Sequence, residues 1–505
     1  MGTVPTIRIR AVNRGAIRED GDYVLYWMIA NRRLHCNFAL DRALEHCAAL
    51  KRPLVVFEAL RIGYRWASDR IHRFVMDGMA DNARTCEERG VCYYPYVEPT
   101  ADAGKGLLEA FAEQACVVVT DEYPCFFLPR MVESAGKKLR VAMEAVDSNG
   151  LLPIYACQQV MGRAFDFRRF LQKELPRHLA DFAAEDPLGK TRLPGRATVP
   201  GKIRKNWPPA SPAWLSDDSP HPQLLPIDHS VKPAALRGGH SEGRVRMLQF
   251  FDEKFAHYGE KRNEPEMDVA SGLSPYLHFG HLSAQEVFAE LARREKWKQE
   301  KLSLRATGSR EGWWNMSANG ESFLDEMITW REVGFNFSAH RRDYDQYKSL
   351  PDWAKKTLRE HAKDPRDHVY SLAEFEAAKT HDPLWNAAQK QLVEEGKIHN
   401  YLRMLWGKKI LQWARTPQKA AQIMIHLNNK YALDGRDPNS YSGIFWVLGR
   451  YDRPWAPVRQ VFGSIRYMSS ENTARKMRVQ GYIEKYSEET GDFQASGPDL
   501  HKPLV

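Results

Sequence analysis

In the stretch LRMLWGKKILQW, residues 402–413, Trp406 and Trp413 stand seven residues apart within a strongly helix-forming run. Seven residues bring an α-helix to within about 20° of two full turns and advance it about 10.5 Å, so the two indoles share one face. A core stripe is the ordinary reason for such spacing, but indoles in line can also pass electrons stepwise. In ESFLDEMITWREVGFNF (321–337), Glu326 and Trp330 stand at i and i+4, which puts a carboxylate and an indole on one helical face. Ser271 and Ser274, in ASGLSPYLHFGHLSAQEV (270–287), precede a helix, where hydroxyls and free amides make a phosphate site as readily as a plain cap. Between residues 450 and 478 come Arg450, Arg453, Arg459, Arg466, Arg475, Lys476 and Arg478 against only Asp452 and Glu471. Such a run serves either as a solvated face or as a surface that tracks phosphates.

Positioning these groups takes more than one core, since 505 residues exceed what a single ordinary domain holds. Up to about residue 150, apolar runs (YVLYWMIA, PLVVFEAL, VCYYPYVE, ACVVVTDEYP) alternate with helical patterns such as ALDRALEHCAALKR. Continuous apolar strands separated by helices predict an open α/β domain with a parallel sheet covered on both faces. From about 185 to 240 the chain turns rich in Pro, Ser and Gly, as a connector does. Beyond it run long helical patterns (GRVRMLQFFDEKFAHY, SAQEVFAELARREKWKQEKL, SLAEFEAAK, QKAAQIMIHLNNKYAL) with hardly any strand signal. The expected organisation is an α/β domain over 1–184, a connector over 185–240 and an all-α domain over 241–505. Twelve of the fourteen tryptophans lie from Trp207 onward, more aromatic loading than a helical core needs. That excess points to a flat or redox-active ligand.

Several functions are excluded or unsupported. No GxGxxG or GxxxxGK[ST] follows any predicted strand, so an ordinary dinucleotide or P-loop site is unsupported. The seven cysteines lack CxxC spacing and end at Cys157, which reads as reduced thiols and removes a cysteine-ligated iron-sulfur cluster from the C-terminal half. No metal site is expected. No apolar run approaches a membrane span and the start lacks a signal-peptide core, so a soluble intracellular protein is expected. The net charge of +9 permits a polyanionic partner without demonstrating one.

A set of longer motifs narrows the reading. THDPLWNAAQ, NYLRMLWGKKILQW, LNNKYALDGRDPNSY, a Trp seven residues beyond that Asn, and FGSIRYM resemble the class II cyclobutane pyrimidine dimer photolyases of the photolyase/cryptochrome family. The start REDGDYVLYWMIANRRLHCNFAL and the stretches VVVTDEYP and VDSNGLLPI are similar to that family's α/β domain. The resemblance is weakest in the connector and in EKLSLRATGSREGWWNMS, residues 300–317.

The resemblance implies a helical domain that holds FAD, active as FADH−, which on excitation gives an electron to a dimer flipped out of UV-damaged DNA and recovers it after the ring splits. It places Tyr258, Ser271, Leu273 and Ser274 along the FAD phosphates, Asn428 at flavin N5, and Arg403, Asp434 and Asp437 around the isoalloxazine. Trp406, Trp385 and Trp413 match the tryptophan chain that photoreduces the flavin, and Met404 a residue between flavin and dimer. Glu326 matches the carboxyl that hydrogen-bonds the dimer carbonyls, and Trp330 and Trp446 the apolar walls for the extruded bases. Arg453 and Arg466 match arginines that fill the gap left behind.

The resemblance also implies a monomer without membrane contact, cytoplasmic in a prokaryote and nuclear in a eukaryote. The α/β domain is expected to hold an antenna chromophore, of deazaflavin type if present. Two rival readings share the fold, a cryptochrome-like photoreceptor and a (6-4) photoproduct enzyme. The first calls for a long signalling tail, which YSEETGDFQASGPDLHKPLV is too short to supply, and the second for catalytic histidines, for which His278 and His281 are the nearest candidates.

Overall fold

The computed structural model describes residues 3–216 and 221–487. The tail named above lies, from residue 488 on, outside the described residues. The first half is built on a six-stranded sheet in the order β1-β6-β5-β2-β3-β4. Strands β2 (Tyr23–Met28), β3 (Leu54–Leu60), β4 (Cys92–Val97) and β5 (Ala115–Asp121) are mutually parallel, and β6 (Met143–Val146) joins them in the same sense. Every residue of β2 and β5 is buried, as expected of strands covered by helices on both faces. Helices α1 (Phe38–Leu50), α2 (Asp69–Glu88), α3 (Leu107–Ala112) and α4 (Leu128–Lys138) supply that cover.

Two strands carry no apolar run and escape the sequence pattern. β1 (Ile9–Ala11) pairs antiparallel with β6 at the sheet edge. β6 has Glu144 at its second position, held by Arg42 at 2.8 Å and His46 at 2.9 Å. These partners, rather than apolarity, let a carboxylate sit in the sheet.

The connector does not hang free. Its short helical turns lie along the α/β domain, where Trp207 Nε1 donates to Ala103 O (3.0 Å) and Leu215 and Leu225 pack with Leu60 and Val75. Helix α5 (Ala164–Glu174), which precedes it, reaches across to the second half, where Arg168 pairs with Asp325 at 2.7 Å.

The second half is helical. Around the site lie α6 (His240–Gln249), α7 (Ala284–Arg294), α8 (Ala318–Leu324), α9 (Arg331–His340), α10 (Asp352–Glu360), α11 (Pro383–Glu395), α12 (Asn400–Trp413), α13 (Pro417–Tyr431) and α14 (Pro438–Val447). Asp382, Thr416 and Asp437 cap α11, α13 and α14 with side-chain oxygens, and each helix has Pro in its first turn. Two apolar clusters divide this half. One joins α6–α9 to the α/β domain, and the other gathers α10–α14.

Close helix packing depends on two glycines. A Cβ on Gly334 of α9 would lie 2.8 Å from Pro438 O, and one on Gly407 of α12 would lie 2.6 Å from a Val447 methyl. Both therefore press helices against α14. Among the described residues, no helix is long and apolar enough to cross a membrane.

Candidate active site

Helix α12 carries the densest set of expected site residues. Arg403 makes two parallel bonds to Asp434, at 2.9 and 3.1 Å. Burial alone would raise the Asp434 carboxyl, but Arg403 and a hydrogen bond with Ser274 outweigh it and hold it below the usual carboxylate range. The pair therefore ties α12 to the turn of Ser271, Leu273 and Ser274. In that turn Ser271 Oγ accepts from Leu273 N at 3.4 Å, and Gly272 takes a left-handed φ of 67°. Leu273 is buried, whereas Ser274 is exposed. Met404 stands next to Arg403, half-buried.

Asn428, on α13, is buried and donates to Ser440 Oγ at 2.6 Å. Its neighbour Asn429 is committed elsewhere, donating to Tyr441 Oη (3.0 Å) and accepting from Arg436 N (2.9 Å). Asp437 is fully engaged: one oxygen caps α14 through Asn439 N (2.7 Å), the other accepts from Tyr123 Oη (3.0 Å) and faces His278 at 3.4 Å. The structure thus makes Asp437 a clamp between the two halves as well as a cap. His278 is held below its usual pKa by burial, and burial pushes His281 down to about 3, where it accepts from Gly239 N at 2.9 Å.

The three indoles form one buried path. Trp385 Nε1 donates to Trp406 O at 3.0 Å, and the Trp385 and Trp413 rings meet edge to face at 6.1 Å. Trp406 Nε1 donates to Gln389 Oε1 at 2.9 Å. All three are at most 2% exposed, so even the last does not reach solvent itself. Trp413 instead touches the rings of Tyr370 (5.7 Å) and exposed His381 (4.9 Å), and Tyr370 Oη lies 2.7 Å from His381 Nδ1. Lys409 stacks on Trp413 at 5.1 Å with Asp382 3.6 Å away to balance it.

The residues expected to hold the dimer lie on separate elements. Glu326 and Trp330 sit in a π-helical turn, Asp325–Trp330, between α8 and α9. Sequence spacing predicts an α-helix here; the extra residue per turn keeps i and i+4 nearly in line, and such turns are common at functional sites. Glu326 pairs with Arg262 at 2.6 Å, and Arg262 in turn lies 5.6 Å over the Tyr258 ring. Burial, then the Glu326 charge, pushes the Tyr258 hydroxyl upward. Trp330 packs, half-buried, with the first apolar cluster and Trp446, also half-buried, with the second.

Behind Trp446 stands Lys408, wholly buried, with its ammonium 4.8 Å over the indole and 2.7 Å from Val447 O. Burial pushes its pKa down to about 7. Arg466 lies 5.7 Å from Trp446 and 4.0 Å from Trp455, bonded to Asp452 at 3.1 Å. Arg453, exposed, is 5.2 Å from the same Trp455. Trp455 thus joins the two arginines that the sequence left as separate candidates. Arg262, Lys408, Tyr370 and Trp455 were all missed, because nothing in the residue type shows which neighbour will fold against it.

A second cavity, of about 530 Å3, opens at the carboxyl ends of β2–β5, where open α/β sheets usually bind ligands. Trp27, Phe57, Tyr64, Tyr96 and Phe126 give it a flat aromatic lining, and Phe279 and Arg436 reach it from the helical half.

An open parallel sheet packed on a helical domain with buried indoles and a phosphate-type turn is the architecture of the photolyases. A crystal structure of a bacterial class III photolyase from Agrobacterium tumefaciens superposes with a TM-score of 0.66 at 18% identity, covering 92% of this chain and 86% of that one. No family model matches the chain. Curated proteins named deoxyribodipyrimidine photo-lyase match along almost all of it. That of Methanothermobacter thermautotrophicus is 34% identical over 95% of this chain and 97% of its own length. Those of Potorous tridactylus (31%, 95% of this chain and 84% of its own) and Arabidopsis thaliana (32%, 94% and 92%) are similar in extent. The chain belongs to the deoxyribodipyrimidine photo-lyase family, whose members are FAD-dependent DNA-repair lyases.

Proposed function

We propose that this chain repairs cyclobutane pyrimidine dimers in DNA by light-driven electron transfer from reduced FAD, as a class II enzyme. The observation that carries this reading is the continuous indole path, which starts beside the Arg403–Asp434 pair and ends at Tyr370 and His381 at the surface. A core stripe alone would not need to run from a part-buried charged pair to the outside.

The donor set suits FAD. Arg403 Nε is buried without a partner among the described residues, and the Ser271–Ser274 turn offers hydroxyls and amides to a pyrophosphate. Ser440 takes only one bond from Asn428, which leaves the rest of that amide for flavin N5. When bound and reduced, FAD supplies on excitation the electron that opens the cyclobutane ring and takes it back afterwards.

The protein's own residues do the remaining work. Arg403 balances negative charge beside the ring system, and Asp434 fixes the guanidinium in place. Trp330 and Trp446 wall the extruded bases away from water. Glu326 leaves its Arg262 partner, takes up a proton and, as a neutral carboxyl, donates a hydrogen bond to a dimer carbonyl oxygen, which steadies the negative charge that develops there. Arg453 and Arg466, stacked on Trp455, occupy the gap in the duplex. The aromatic cavity in the α/β domain is of a size and shape for a deazaflavin antenna. Engagement of both His278 and His281 by structural partners argues against the (6-4) reading.

The test is repair itself. Purified protein, illuminated with reductant, should restore thymine absorbance in an oligothymidine that carries cyclobutane dimers and leave one that carries (6-4) photoproducts unchanged.

A further inference from the structure

Between α7 and α8 lies the segment of residues 300–317. Helix α7 stops at Arg294, eight residues before its sequence pattern does, because Lys296 turns left-handed (φ 48°) and the chain leaves as a loop. That loop is firmly built. Trp297 Nε1 donates to Trp314 O at 2.6 Å, Trp313 and Trp314 meet at 4.6 Å, and Phe288 packs on Trp297 and Trp314 at 5.5 and 5.4 Å. Its far end is pinned to α5, where Gln172 accepts from Gly308 N (2.7 Å) and donates to Ser309 O (2.9 Å). Gly308 is left-handed and so close that a Cβ would lie 2.9 Å from the Phe165 ring.

What this frame displays is odd for inert surface. Leu304 stands wholly exposed at 103% relative accessibility, beside exposed Arg305, and Phe165 is 49% exposed under the same loop. Lys296, Lys298, Lys301, Arg305 and Arg310 face solvent against Glu300 and Glu311. The loop also adjoins the substrate pocket: Arg310 Nε lies 3.9 Å from Asp325, the residue before Glu326. At the near end of α5, Arg163 bridges to Tyr451, two residues from Arg453.

We infer that this loop is a second DNA contact, in which Arg305 and Arg310 take backbone phosphates of the duplex flanking the lesion and Leu304 rests against the groove edge. The inference rests on the DNA-repair reading above. A rigid cationic ridge with one apolar tip, continuous with the pocket mouth, complements a polyanion whose groove edges are partly apolar. A firm loop also loses little entropy on binding.

The test compares wild type, Arg305→Ala/Arg310→Ala and Leu304→Ser, with flavin content and melting temperature as folding controls. Binding of a dimer-containing duplex is measured against salt, and repair is measured on a short dimer-containing oligothymidine that cannot reach the loop. Losing two phosphate contacts should lower duplex affinity about tenfold and reduce the log–log salt slope by about 2. Leu304→Ser should weaken duplex binding with the slope unchanged. Repair of the short substrate should equal wild type in both. Wild-type duplex affinity and slope in the double variant would overturn the inference and leave the ridge to a protein partner. Failure of the wild type to repair even the short substrate would instead sink the repair reading.

Discussion

In the proposed repair Glu326 is the residue on which the chemistry turns, and Arg262, 2.6 Å away, holds its carboxyl in place before any substrate arrives. A hydrogen bond to a charged group contributes roughly 1.5–3 kcal/mol. Glu326→Ala should therefore retain FAD but repair roughly ten- to a hundredfold more slowly. Dimer turnover at saturating light measures this, and wild-type rates would remove the role. If the indole path supplies electrons as proposed, Trp406→Phe should abolish photoreduction of the resting flavin while chemically reduced protein repairs normally. Steady illumination followed by the flavin spectrum checks the first half, and a dithionite-reduced assay the second. At this scale the sequence marked residues that stand within a motif, and the structure brings Arg403 to Asp434 and Trp385 to Trp406. The sequence was silent for Arg262 and Lys408, since an arginine or lysine on a helix gives no sign of which indole or carboxylate will fold against it.

At the scale of elements, α12 does two jobs, turning Trp406 toward α11 and Lys408 toward Trp446. The buried lysine gives a signature in pH. Its folded pKa of about 7 lies below the ordinary 10.5, so between these values the unfolded chain binds the extra proton. Stability from this group should then rise with pH across that window, the penalty being complete below about pH 7. Lys408→Met should flatten that part of the stability-against-pH curve, as followed by denaturant midpoints from pH 6.5 to 10. An unchanged slope would mean that the ammonium stays charged over Trp446 throughout. Gly407→Ala should cost about 1–3 kcal/mol, since a methyl there meets Val447 with no room to yield. The sequence pattern found most of these helices but missed the π turns at Phe250–Lys254 and Asp325–Trp330, because an extra residue in a turn leaves the apolar spacing readable as an α-helix.

Across the whole molecule, the two halves are joined by polar clamps more than by a shared sheet. Arg70 of α2 donates to the carbonyls of Leu392, Val393 and Tyr431, and Asp437 receives Tyr123. None of these contacts could be read in advance, because each pairs residues hundreds of positions apart. The class of each half was legible, since fully buried strands and long amphipathic helices write distinct patterns, whereas the edge strand β1 and its neighbour β6 depend on pairing that leaves no apolar run. The cavity at the strand ends offers its own test. Ala30→Trp, at its wall, should leave dimer repair under near-ultraviolet flavin excitation intact and abolish any gain from added deazaflavin at longer wavelengths. An action spectrum checks both.

The most direct measurement of the central claim is an absorption spectrum of the purified protein, followed by blue illumination with reductant and a dimer-containing oligothymidine while thymine absorbance is recorded. The account predicts a bound flavin spectrum and recovery of thymine absorbance that depends on light. A bound, photoreducible flavin without recovery would contradict it and move the protein to the photoreceptor reading.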